Sequence, residues 1–163
     1  MKNFLLLLLC ILGINNPSGS QDTSGQIRKN VIKGSVATMG AANSMVSIDY
    51  ERNMVQTEHL RFNIEVTYGR FYKSYTQDSY QSYPGFHSFT TSINSLIGGK
   101  SSYFELSLGV RYSLVDTEEF ENMNRYFPVI NIGYRYQNPY GKGLVFKPYV
   151  GTTGIGLSIG KAF

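Results

Sequence analysis

The chain has no tryptophan, one cysteine and two histidines in 163 residues. Cys10 lies inside the N-terminal apolar run Phe4 to Ile14, so no disulfide framework can hold the remainder together. Histidines this few, with no cysteine beside them, form none of the usual metal-ligand spacings. After residue 20 no stretch approaches 18 consecutive apolar residues, which excludes helical membrane spans there. The 15 Lys and Arg exceed the 11 Asp and Glu, but they are scattered, so no nucleic-acid footprint forms. Neither a helical period nor a solenoid repeat is visible. What is abundant is tyrosine (13), phenylalanine (10) and glycine (17).

The N-terminus has the order of an export signal. Met1-Lys2-Asn3 is short and basic, the apolar run follows, and Pro17-Ser18-Gly19-Ser20 supplies small residues for cleavage before Gln21. The expected organisation is a signal peptide over 1–20, a polar periplasmic lead over 21–30 and a single domain over 31–163. A lipid-modified Cys10 fits poorly, because Leu7-Leu8-Leu9 precede it and the apolar run continues beyond.

Strand-like segments fill that domain: residues 31–39, 45–54, 60–71, 86–96, 103–114, 126–137, 144–151 and 155–163. In the third, Leu60, Phe62, Ile64, Val66 and Tyr68 oppose Arg61, Asn63, Glu65 and Thr67. In the fifth, Phe104, Leu106, Leu108, Val110 and Tyr112 oppose Glu105, Ser107, Gly109 and Arg111. Successive side chains of a strand point to opposite faces, so each segment has one apolar and one polar face. A soluble lipocalin-like barrel would turn the apolar face inward, whereas a membrane barrel turns it to lipid. Charges on the polar face, segments of about 9–12 residues and tyrosines near segment ends favour the membrane. The long connections, roughly 72–85 and 115–125, alternate with short ones, as outer loops alternate with periplasmic turns. The predicted fold is all-β: a transmembrane antiparallel up-and-down β-barrel of about eight strands. Glu51, Arg61, Glu65, Glu105, Arg111 and Arg135 are expected to fill its lumen as structural charges. Two pairings are expected: Glu105 opposite Arg135, if Leu114 faces Tyr126, and Glu51 with Arg61.

The last segment sets Ile155, Leu157, Ile159 and Phe163 against Gly156, Ser158, Gly160 and Ala162. This pattern resembles the C-terminal signal read by the outer-membrane barrel-assembly machinery, with Lys161 departing from it. Asn30-Val31-Ile32-Lys33, Asp49-Tyr50-Glu51-Arg52 and Gly133-Tyr134-Arg135-Tyr136-Gln137 are similar to runs in small uncharacterised bacterial outer-membrane β-barrel proteins. The resemblance implies a barrel in the outer membrane and brings no catalytic residues.

Chemistry is sparse. His59 is expected at a periplasmic turn and His87 near the outer rim, too far apart to share a metal. His87-Ser88 invites comparison with lipid-modifying hydrolases, but neighbours on a strand face opposite ways. Asp116, Glu118, Glu119 and Glu121 read as a solvated loop rather than a cation site. Tyr72, Tyr75, Tyr80, Tyr83 and Phe86 read as an aromatic girdle before a binding surface. The function expected on these grounds is a non-enzymatic envelope barrel serving surface interaction, adhesion or membrane integrity, without cofactor, metal or catalytic site. A lipid-modifying hydrolase or acyltransferase acting on lipopolysaccharide or phospholipid is the alternative, and a soluble lipocalin-like carrier the third. Expected partners are outer-membrane lipid, lipopolysaccharide and the barrel-assembly machinery, with no nucleic acid and a monomeric state.

Overall fold

The computed structural model describes residues 29–39, 43–57, 59–73, 85–99, 101–114, 125–137 and 143–163. Eight strands follow one another: β1 Asn30–Thr38, β2 Asn43–Gln56, β3 Leu60–Lys73, β4 His87–Gly99, β5 Ser102–Leu114, β6 Tyr126–Gln137, β7 Leu144–Gly151 and β8 Gly154–Ala162. Each pairs antiparallel with the next, and β8 pairs with β1, so the sheet is a closed barrel. Closure leaves no edge for another chain to extend. The ends are tied directly: the Asn30 amide donates to the Phe163 carbonyl at 3.1 Å, and the Phe163 amide returns the bond to Asn30 at 2.9 Å.

The barrel is inverted relative to a soluble protein. Ile48, Ile155 and Tyr126 are 66–68% exposed, whereas Lys33, Arg135 and Glu105 are at most 1% exposed. An exterior of bare isoleucine, valine and aromatic rings is costly in water, at about 25 cal/mol per Å², and costs nothing against hydrocarbon. The charged lumen also removes the soluble-carrier reading, which needs an apolar interior. This is an outer-membrane-type β-barrel.

Two registers differ from expectation. Between β2 and β3 the pairing sets Glu51 opposite Glu65 and Arg61 opposite Gln56, with a bulge between Asn53 and Val55. The bulge carries β2 on to Gln56 and moves the turn toward the C-terminus, so Glu51 and Arg61 do not meet. Arg61 instead places its guanidinium 4.7 Å above the Tyr103 ring. Between β5 and β6, Tyr112 rather than Leu114 faces Tyr126. Those two rings lie 5.1 Å apart, a cross-strand aromatic pair that favours this register. Glu105 therefore faces Gly133, and Arg135 faces Tyr103.

Small residues make room inside. A Cβ at Gly160 would run into the Ile32 carbonyl and the Lys33 side chain. Gly154, at φ +96°, forms the tight β7–β8 turn in a conformation that other residues resist.

Candidate functional site

The half of the lumen nearest the chain termini is filled by ions. Glu51 takes Lys33 Nζ at 2.6 Å on one oxygen and Arg135 Nη1 at 2.6 Å on the other. Asn63 Nδ2 donates to Glu51 as well, at 2.5 Å. Lys33 also pairs with Glu65, whose Oε2 accepts from Asn94 at 2.9 Å. Glu105 pairs with Lys147 and, at 3.4 Å, with Arg135. Although not directly opposed in the sheet, Glu105 and Arg135 meet diagonally, two residues beyond Gly133, which faces Glu105. Carboxylate oxygens of Glu51, Glu65 and Glu105 lie within 4.8 Å of one another. Such a triad has the geometry to hold a cation, but Lys33, Arg135 and Lys147 already neutralise it.

Lys33, Lys147 and Asp49 join the lumen without having been singled out from sequence. Asp49 accepts from Ser35 and, at 3.1 Å, from Ser47. Lys33 and Lys147 sit in short strands whose inward residues include Val31, Ala37, Val145 and Tyr149, which blurs the polar face.

Beyond this cluster, toward the far end, lies a small cavity that is partly open to solvent. Its wall includes Asp49, Thr67, Thr90, Ser92, Arg111 and Asn131. Arg111 is 7% exposed and stacks its guanidinium 4.6 Å over the Phe71 ring. Its Nε has no hydrogen-bond partner.

A second chemical site stands on the outer wall. His87 opens β4 at the far end of the barrel, while His59 lies in the β2–β3 turn at the termini end. Ser88 points into the lumen at 2% exposure, so it cannot meet His87. The group that does meet His87 lies across the sheet: the Tyr68 hydroxyl is 2.7 Å from His87 Nδ1. The two rings stack with centroids 5.5 Å apart and planes within 9°. Phe89 packs against Tyr68 at 5.0 Å. Arg70, also outward on β3, is the strand partner of His87 and lies 5.5 Å from the Tyr72 ring. A hydroxyl, an imidazole and a guanidinium are thus grouped on the lipid-facing rim. The partner of His87 is neither Ser88 nor His59 but Tyr68, 19 residues earlier on β3.

Of the terminal strand, Ile155, Ile159 and Phe163 are exposed on the wall, Leu157 is half-buried and Ala162 is buried. Phe86 stacks on Phe71 at 4.8 Å. Residues 1–20, expected to be a signal peptide, Tyr75, Tyr80, Tyr83 and the acidic residues Asp116, Glu118, Glu119 and Glu121 lie outside the described residues.

No protein-family model matches the chain. No curated protein matches it by sequence. Among solved structures the chain is similar to that titled "Crystal structure of the outer membrane enzyme PagL", with a TM-score of 0.51 and 13% identity. The likeness covers 82% of this chain and 99% of that one. It shows the fold. It also corrects the expectation of a non-enzymatic barrel, since a barrel of this architecture is an enzyme in that protein.

Proposed function

We propose that the protein is an outer-membrane lipid-modifying enzyme, a hydrolase or acyltransferase acting on phospholipid or lipopolysaccharide, with Tyr68 and His87 as its reacting groups. The observation that carries the reading is the 2.7 Å contact between the Tyr68 hydroxyl and His87 Nδ1 on the lipid-facing wall. A hydroxyl held by a base is the smallest unit that performs acyl transfer. A phenol, with a pKa of about 10, ionises more readily than an aliphatic alcohol and departs more readily once acylated. The likeness to an outer-membrane enzyme supports the same class.

The chemistry runs in two balanced steps. The Tyr68 oxygen attacks the ester carbonyl while His87 Nδ1 takes the phenolic proton. The ester C–O bond breaks, and His87 returns the proton to the departing alcohol. Water, or the hydroxyl of an acceptor lipid, then attacks the acyl-tyrosine with His87 as base, restoring Tyr68. Arg70 supplies the positive charge that a lipid phosphate meets at the rim. The reading carries a location and an assembly route with it: export with loss of residues 1–20, and insertion by the barrel-assembly machinery through Ile155, Leu157, Ile159 and Phe163.

The test is purified barrel in detergent with phospholipid or lipopolysaccharide, followed by mass spectrometry of released and transferred acyl chains. Tyr68→Phe and His87→Ala should each lose about 100-fold or more in rate, given typical contributions of a nucleophile's base. His59→Ala, at the other end of the barrel, should keep full activity. An inert wild-type protein on both lipids, or an undiminished Tyr68→Phe, would reject the assignment.

A further inference from the structure

The upper lumen contains a buried charge that meets no counter-ion among the described residues. Arg111 is 93% buried by its 7% exposure, and among the described residues it has no carboxylate within ion-pair distance. Its contact is the face of Phe71, and its Nε is unpartnered. Two residues further along the same inward face of β5, Ser113 Oγ is buried and unpartnered as well. Every other cation near the cavity is committed: Lys147 and Arg135 to Glu105, Lys33 to Glu51 and Glu65. An isolated guanidinium out of water is costly, and apolar residues of similar volume would fill the space at less cost. Its retention in a solvent-connected cavity is what a ligand site requires.

The surroundings say which ligand. Along one row of facing residues in the barrel wall, Asp49 stands opposite Thr67, Thr67 opposite Thr90, and Thr90 opposite Arg111. Two threonine hydroxyls therefore stand between Asp49 and the guanidinium, and the other acid of the wall, Glu65, is paired with Lys33. Asp49 is drawn away from Arg111 by its hydrogen bonds from Ser35 and Ser47. The Arg111 end of the cavity offers guanidinium N–H donors with hydroxyls beside them, the donor set that a small oxyanion takes. We propose that this cavity is an anion-binding site of the phosphate class, with Arg111 as anchor and Thr90 and Thr67 as accompanying donors. The site is inside the barrel and separate from the Tyr68–His87 pair on its outer wall.

The experiment uses the full-length barrel in zwitterionic-free detergent, titrated with inorganic phosphate and, separately, with a short-chain phosphatidic acid in micelles. Binding is followed by calorimetry and by the NMR signal of the Arg111 Nε–H group. Saturable binding of free phosphate identifies a soluble anion as the ligand, and saturation only by the lipid identifies a headgroup; either supports the site. Arg111→Met should weaken binding by about tenfold or more, as loss of a charge-assisted anchor does. The same variant should resist denaturant at least as well as wild type, because it removes an unpaired buried charge. His87→Ala should bind phosphate normally, which separates this site from the proposed catalysis. No saturation by either probe, or binding unchanged in Arg111→Met, would overturn the proposal.

Discussion

Glu51 shows how single residues hold the lumen together. Two cations and an amide converge on it: Lys33 at 2.6 Å, Arg135 at 2.6 Å and Asn63 at 2.5 Å. Removing its charge leaves both cations short of a partner where water is scarce, so Glu51→Gln should cost about 3–5 kcal/mol of barrel stability. Asp49, which accepts only from hydroxyls, should cost less when changed to Asn. Denaturant unfolding in micelles measures both, and equal losses would contradict the ranking. The polar-face positions of Glu51, Glu65, Glu105 and Arg135 were legible in the alternation of the long segments. Lys33 and Lys147 were not, because valine, alanine and tyrosine share their inward faces in the short strands. The Tyr68–His87 contact could not be read from spacing at all. It depends on the β3–β4 register across a connection of more than ten residues, and alternation fixes a face without fixing a register.

At the scale of elements, all eight strands were visible as segments, with ends displaced by up to a few residues. The displacements arise where a strand runs past an apparent turn: β2 through its bulge to Gln56, and β4 through Ile97 to Gly99. The terminal strand illustrates what the faces imply. Phe163 is 53% exposed on the wall, whereas Ala162 is fully buried with Val31 and Val145. Phe163→Asp puts a charge on the lipid side and should slow insertion into vesicles severalfold. Ala162→Asp puts the same charge into an apolar corner of the lumen, so it should insert but unfold at lower denaturant. Insertion kinetics and unfolding midpoints separate the two effects, and identical behaviour would mean that the two positions do not face opposite sides.

For the whole molecule, the arrangement divides labour between its surfaces. The apolar exterior meets lipid, the ion cluster fills the lumen near the termini, and the proposed chemistry falls to the far rim, where Tyr68, Arg70 and His87 come together. A closed barrel with no free edge can hold such a group rigidly on its wall, because strand pairing on both sides fixes β3 and β4. The expectation of a non-enzymatic barrel had only the chain order to go on: a side-chain pair such as Tyr68 and His87 is assembled across strands, and no motif along the chain announces it. The most direct test is in living cells. Total envelope lipid would be profiled by mass spectrometry in cells producing wild-type protein or His87→Ala at equal abundance in the outer membrane. Species differing from the parent lipid by the mass of one acyl chain should be present with wild type and missing with His87→Ala. Identical lipid profiles in the two strains would contradict the proposed activity.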